Sequence, residues 1–315
     1  MDHALPVIDV SGLFSADTEE RRGVAATLGA ACRETGFFYV TGHGIAPATV
    51  RDVFDAAGRF FAQEHDAKLA VSMRRSRNNR GWFELAEERL DPTALPDRKE
   101  GFNIGLEMAS DDPRFGQPFR GENFWPDLPG WRDIMLDYFD RVWALGCVLH
   151  RGFSLDLGLD EHFFDDKLDA PLATLRLLRY PPAPEGGTAN GSDGAPGAGE
   201  HTDYGNVTIL AVDGVGGLQL RRRDGIWIDA PCIPDAFIVN IGDCLMRWTD
   251  DVYVSTPHRV AVPKRERRSI AFFLDPNPDA VVEPVLGGPD ARRRYPPITG
   301  ADYLRSRLEP TYRTT

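Results

Sequence analysis

The chain has 315 residues, 42% of them hydrophobic and 10% aromatic, enough apolar material to bury a full core, which excludes a disordered protein. Its formal net charge of -12 opposes a phosphate backbone, and the basic runs at 221–223, 264–268 and 292–294 are too short to reverse that field, so nucleic acid is excluded as a partner. No segment approaches the roughly 18 apolar residues of a membrane span, and MDHALPVIDV lacks a basic stretch followed by an apolar one, so a soluble, cytoplasmic protein with no membrane partner is expected.

In chain order, VIDV (7–10) reads as a short strand and Glu19 to Thr35 as an amphipathic helix stopped by Gly36. FFYVTG (37–42) follows as a strand, then Pro47 to Phe61 as a second helix. Apolar residues at helical spacing make Trp131 to Leu159 the longest helix candidate, so the N-terminal half is expected to be mostly helical. From about Leu172 the pattern changes to short Val, Ile, Phe and Leu runs divided by Gly, Pro and Asp: 173–180, 207–212, 236–242, 255–262 and 268–274. GLQLRRRDGIWIDA (217–230) adds a hairpin turning at Asp224-Gly225. These runs predict an α+β fold with a mainly β core, an antiparallel sandwich or barrel with helices packed around it. The stretch 181–200 is almost wholly Gly, Pro, Ala and small polar residues and predicts a loop, either a surface insertion or a lid, ending on His201. Cys32, Cys147, Cys232 and Cys244 lie far apart without CxxC spacing and are expected to be reduced core thiols.

Within GEHTDYGNVTIL (199–210), His201 and Asp203 stand two positions apart. Chance alone supplies roughly 0.7 such pairs in a chain of this composition, so the pair means little without its surroundings. On an extended strand both side chains would share a face. His258 in TPHRV offers a third ligand, and two imidazoles with one carboxylate form the facial triad suited to non-haem Fe(II). Nine residues after His258, Arg267-x-Ser269 repeats the two-residue spacing on what is expected to be the adjoining strand, with a guanidinium and a hydroxyl, donors for a carboxylate. His3, His43, His65, His150 and His162 have no partner motif and are expected to be surface or internally satisfied.

LPVIDVSGL and ETGFFYVTGHGI near the start, and HTDYGNVTIL, GLQL, FIVNIGD, STPHRV and RRSIAFFLDPN later, occur in the order of a known family. The chain resembles the isopenicillin N synthase-like family of Fe(II)/2-oxoglutarate-dependent dioxygenases over nearly its whole length. The resemblance implies a double-stranded β-helix, or jelly roll, with N-terminal and flanking helices. It divides the chain into an N-terminal helical region (1–120) on the substrate side and a long helix plus jelly-roll core (121–315), together forming one compact unit. It implies iron ligands at His201, Asp203 and His258, and 2-oxoglutarate held by Arg267 and Ser269. Tyr180, which precedes Pro181-Pro182 as a tyrosine does in many members, is implied to contact the co-substrate. The asparagine common two positions earlier is Leu178 here. Alternation puts Arg176 on the face of Tyr180, and a subgroup resembling ethylene-forming enzyme has an arginine in a similar strand. Arg80, Trp82, Glu84 and Phe102, in NNRGWFELAEE and RKEGFNI, are further candidates for the substrate pocket.

The implied reaction consumes dioxygen and 2-oxoglutarate, with ascorbate as a stimulant, and oxidises a C–H bond of a small molecule while 2-oxoglutarate becomes succinate. Two alternatives stay open at this point. One is an iron oxidase of the isopenicillin N synthase or ethylene-forming type. The other is a zinc hydrolase or a binding module, in which Arg267-x-Ser269 would have no task. A monomer is expected.

Overall fold

The computed structural model describes residues 5–91, 93–183, 195–287 and 292–312. In order, the elements are β1 (Val7–Asp9), α1 (Thr18–Glu34), β2 (Phe37–Thr41), α2 (Pro47–Phe61), α3 (His65–Leu69), β3 (Gly81–Phe83), β4 (Glu100–Gly105) and α4 (Trp131–Asp156). There follow β5 (Thr174–Tyr180), β6 (Ala198–His201), β7 (Val207–Val212), β8 (Leu218–Arg221), β9 (Trp227–Asp229) and β10 (Phe237–Ile241). The chain ends with α5 (Asp243–Trp248), β11 (His258–Val260), β12 (Arg267–Leu274), β13 (Val281–Val282), β14 (Ile298–Thr299) and α6 (Gly300–Tyr312). One sheet has the order β1-β2-β10-β7-β12-β5-β4-β3, a second β6-β11-β8-β9, and β13 pairs with β14. Part of the proposed loop, residues 184–194, lies outside the described residues.

Local chemistry sets the helix ends. The Asp17 carboxylate accepts from Glu19 N–H at 2.9 Å to cap α1, and Gly36 closes it in the left-handed region at φ +62°. Pro47, which needs no partner for its missing N–H, starts α2.

Alternation along the large sheet divides its two faces. Phe38, Val40, Phe102, Ile104, Leu175, Leu177, Ile209, Val239, Ile270 and Phe272 turn outward onto α1, α2 and α4 in the main hydrophobic core. Each such large side chain contributes about 1.5–3 kcal/mol by leaving water. Tyr39, Leu178, Tyr180 and Ile238 turn inward and meet Ala198, Leu218, Leu220 and Val260 of the small sheet. The space between the two sheets is where the functional side chains lie.

The structure differs from the sequence-based expectation in three respects. The N-terminal 120 residues carry β1 to β4, all strands of the large sheet, in addition to helices. β12 is not a sheet neighbour of β11 but lies between β5 and β7. Cys232 is exposed and Cys147 half-buried, so only Cys32 and Cys244 are core thiols; all four are free.

His150 on α4 is buried and satisfied: its Nδ1 donates to Gly146 O at 2.7 Å and its Nε2 accepts from Asn206 Nδ2 at 3.2 Å. Burial pushes its imidazolium from 6.5 down to about 4. Between those two values the unfolded chain takes up a proton that the folded chain refuses, so stability is held above pH 6.5 and falls by roughly 3 kcal/mol as the pH drops to 4. Urea titrations across this window should show a shallower pH slope for His150→Gln than for the parent protein. Equal slopes would mean that His150 does not govern the acid limb.

Candidate active site

His201, the last residue of β6, is the register partner of His258, the first of β11. The two imidazoles therefore leave the small sheet side by side, with ring centroids 4.3 Å apart. Asp203 lies just past the end of β6 and not on it, in a segment fixed where Asp243 N–H at the start of α5 donates to Asp203 O at 2.8 Å. Asp203 Oδ1 stands 3.8 Å from His201 Nε2 and 3.6 Å from His258 Nε2. Metal–donor bonds of about 2.0–2.2 Å can bridge up to about 4.4 Å between two donors, so both pairs fit one ion.

Each donor is aimed by a partner on its far side. His201 Nδ1–H donates to Gly199 O at 2.7 Å and His258 Nδ1–H to Thr256 O at 3.1 Å, leaving both Nε2 lone pairs free. Asp203 Oδ2 accepts from Thr208 Oγ1 at 2.5 Å and Asn240 Nδ2 at 2.8 Å, which turns Oδ1 to the imidazoles. Burial, reinforced by His258, pushes the His201 pKa down to about 3, so the ring is neutral and able to ligate. Burial pushes the Asp203 carboxyl up, but the two imidazoles and the two hydrogen bonds outweigh it and hold its pKa below the ordinary value. Among the described residues this is the one cluster of His, Cys and acidic side chains close enough to share a metal.

In the same cavity lies Arg267, 1% exposed and without a carboxylate partner among the described residues. Its Nε donates to Gly216 O at 2.8 Å and its Nη1 to Ser269 Oγ at 3.1 Å, while the Tyr180 ring lies 4.7 Å from the guanidinium carbon. Tyr180 is its direct register partner across β5 and β12. A buried guanidinium in this state is favourable only if an anion completes it. Gly216 was not foreseen; nothing in its sequence setting distinguishes it from other turn glycines.

Of the five substrate candidates, Arg80 and Arg176 line the cavity; Trp82, Glu84 and Phe102 do not. Trp82 and Phe102 are register partners on β3 and β4 and point to the helical face, where Phe102 packs edge-on against Phe60 and Trp131. Glu84 pairs outside the cavity with His65 at 3.1 Å and Arg74 at 3.6 Å. The cavity wall is formed instead by their neighbours in alternation, such as Asn103, and by residues that sequence reasoning passed over. Arg176 donates to Asn103 Oδ1 at 2.9 Å, pairs with Glu88 at 3.3 Å, and lies over Phe83 and Phe273. Buried Lys99 bridges Glu88 at 3.4 Å and Asp97 at 2.6 Å, and Asp97 accepts from Gly199 N–H at 2.9 Å. Burial pushes the Lys99 ammonium down, but these two carboxylates more than offset it and raise its pKa. A charged network thus runs from the Arg176 wall to the strand that delivers His201. Asp275 also lines the cavity, and burial, aided by Asp203, raises its carboxyl to about 7. Leu304 and Leu308 of α6 join the lining.

Residues 5–128 match the family described as non-haem dioxygenase in morphine synthesis N-terminal, and residues 172–276 match the 2OG-Fe(II) oxygenase superfamily. The chain is 34% identical to the 2-oxoglutarate-Fe(II) type oxidoreductase hxnY of Emericella nidulans, across 98% of this chain and 90% of that one. A full-length Neurospora crassa protein, crystallised in complex with alpha-KG and thymine, superposes with a TM-score of 0.85 at 33% identity, covering 97% of this chain and 96% of that one. JOX2 in complex with 2OG, Fe and JA gives 0.78 at 30%, covering 97% and 84%. No helix among the described residues is long and apolar enough to cross a membrane. The arrangement of two imidazoles, one carboxylate and a facing guanidinium agrees with these matches, and the chain belongs to the Fe(II)- and 2-oxoglutarate-dependent oxygenases.

Proposed function

We propose that His201, Asp203 and His258 hold iron, that Arg267, Ser269 and Tyr180 receive 2-oxoglutarate, and that the enzyme oxidises a C–H bond of a small molecule in the space walled by Arg80 and Arg176. The observation that carries this reading is the pairing, in one cavity, of a converged His-Asp-His set with a buried guanidinium that lacks a counter-ion. Iron(II), when bound, supplies the redox chemistry that couples loss of carbon dioxide from 2-oxoglutarate to substrate oxidation by dioxygen.

The chain's own residues do the rest. The Arg267 fork and the Ser269 hydroxyl orient the far carboxylate of the co-substrate, and the Tyr180 ring holds the guanidinium in plane. Thr208 and Asn240 keep Asp203 aimed, so the donor set is preorganised. Leu304 and Leu308 add apolar lining to the cavity. Thymine and JA, bound in the Neurospora crassa and JOX2 structures, support a small-molecule substrate. The cavity draws on residues 1–120 as well as 121–315, and β1 to β4 share a sheet with the core strands, which supports one working unit. We read the enzyme as a monomer. Four free thiols suit a reducing cytoplasm.

Protein loaded anaerobically with Fe(II) and then given 2-oxoglutarate, ascorbate and oxygen should release succinate slowly without a substrate, and faster with a productive small molecule. Iron-loaded protein that neither binds 2-oxoglutarate nor forms succinate would sink the reading.

A further inference from the structure

Arg80 is, with Arg267, a second buried cation in the cavity lacking a carboxylate partner among the described residues, and the triad and the Arg267 group leave it without a task. It is 5% exposed, and no carboxylate lies within ion-pair distance among the described residues. Of the five N–H donors on a guanidinium, Nε has no partner at all. The other contacts are long ones to neutral oxygens, Nη1 to Thr174 Oγ1 at 3.3 Å and Nη2 to Phe119 O at 3.4 Å. Burial, together with the charge of Arg120, pushes its pKa down to about 10, so it remains charged at neutral pH.

The backbone makes room for it. A Cβ at Gly105 would overlap the Arg80 guanidinium, so glycine at the end of β4 is what lets the side chain lie against the sheet. The two residues that frame it, Asn79 and Phe119, adopt positive φ of 56° and 61°. A phenylalanine in that region is strained, a cost more often met at binding sites than in plain scaffold.

The sheet register then places Arg80 relative to the metal donors. Thr174, which Arg80 contacts, lies opposite Phe273, Phe273 opposite Thr208, and Thr208 opposite Asn240. Thr208 and Asn240 are the two residues that grip Asp203. Arg80 therefore stands on the same cross-strand row as the support of the metal carboxylate, two strand spacings away, or on the order of 10 Å. Arg267 lies at the opposite end of β12, so the two unpaired guanidinium groups serve different ends of the cavity. Phe119, Leu172, Phe273 and Leu304 give the cavity lining apolar surface, beside the polar Thr174, Thr208 and Asp275.

We propose that Arg80 is the anchor for an anionic head group of the substrate, and that the enzyme acts on small organic acids with an apolar body whose oxidised carbon lies up to about 10 Å from the acid. This rests on the oxygenase reading for the reaction but not for the binding. Arg80 would be a specificity-determining residue, with Arg176, already engaged by Glu88, forming wall and not anchor.

The test uses ω-phenylalkanoates with two to six methylenes, each paired with its neutral amide, titrated by calorimetry into protein holding Fe(II) and 2-oxoglutarate under argon, and into metal-free protein. At least one acid should bind tenfold or more tighter than its amide, the scale of a charge-assisted contact. Arg80→Met should abolish that preference, and Arg80→Lys should retain part of it. Because Arg80→Met also removes an uncompensated buried charge, its ligand-free melting temperature should not fall below that of the parent. No acid preference across the series, or a preference that survives in Arg80→Met, would overturn the proposal. So would a lower melting temperature in Arg80→Met with the preference lost equally in Arg80→Lys, which would mark a purely structural arginine. Acid-selective binding by protein that never forms succinate would instead sink the oxygenase reading and leave this one standing.

Discussion

Replacing His258 by alanine should lower iron affinity and iron-dependent succinate release by more than about 100-fold while the fold is retained. Loss of residues that merely support a metal ligand costs about 10- to 100-fold in metal affinity, and removal of a ligand exceeds that. His258 brings one of the two Nε2 atoms to Asp203, at 3.6 Å, and without it the carboxylate faces His201 alone. Its Nδ1 bond to Thr256 O and its edge contact with Phe37, at 5.2 Å, are modest next to the cores that hold the two sheets together. Asn240→Leu provides the contrast. It removes one of the two hydrogen bonds that turn Asp203 and should fall in the 10- to 100-fold range. Iron retained after desalting, measured with a colorimetric chelator, and succinate release should therefore fall in the order parent, Asn240→Leu, His258→Ala. If His258→Ala keeps its iron, the imidazole is not a ligand.

The parts of this site that could be read from the sequence are those in which one strand carries a repeating pattern. Arg267-x-Ser269 and Arg176-x-Leu178-x-Tyr180 share faces because β12 and β5 are long enough for alternation to register, eight and seven residues. β3 and β4 failed the same test for a physical reason. β3 has three residues and all six of β4 are buried, so neither shows an exposed face from which the phase could be judged. Trp82 and Phe102 face the helices instead of the cavity, and Asn103, next to Phe102 on β4, faces it. Glu88, Asp97 and Lys99 look like solvated surface charges in sequence; only the fold shows them paired with each other in the interior. The sequence offered no periodic cue that α6, far from the triad along the chain, would return Leu304 and Leu308 to the cavity.

The interior charges also differ in what they ask of a ligand. Lys99 is neutralised by two carboxylates and Arg176 by Glu88, so these groups are complete within the protein. Arg267 and Arg80 are buried without such partners. An uncompensated buried charge destabilises the free protein, and that cost is recovered only when an anion arrives. The location of these two cations thus marks where ligand binding energy is concentrated, one at each end of the cavity.

That logic makes Arg267→Ala the sharper test of the co-substrate site. Loss of the guanidinium removes a charge-assisted contact to a carboxylate of about 1.5–3 kcal/mol, so the KM for 2-oxoglutarate should rise about 10- to 150-fold. Iron content should stay at the parental level, because Arg267 binds Gly216 and Ser269 and contacts none of the metal donors. Arg267→Lys should fall between, keeping the charge but losing the planar fork that stacks on Tyr180. A thermal readout separates this role from a structural one. At 2-oxoglutarate 100 times its Kd, the parent gains about 2.7 kcal/mol of stability, whereas a variant with a 100-fold weaker Kd gains only about 0.4 kcal/mol at the same concentration. The ligand-free variant should melt no lower than the parent, since the charge it lost had no counter-ion within the chain. An unchanged KM would remove Arg267 from the co-substrate site, and loss of iron would mean that its carboxylate-free pocket supports the triad instead.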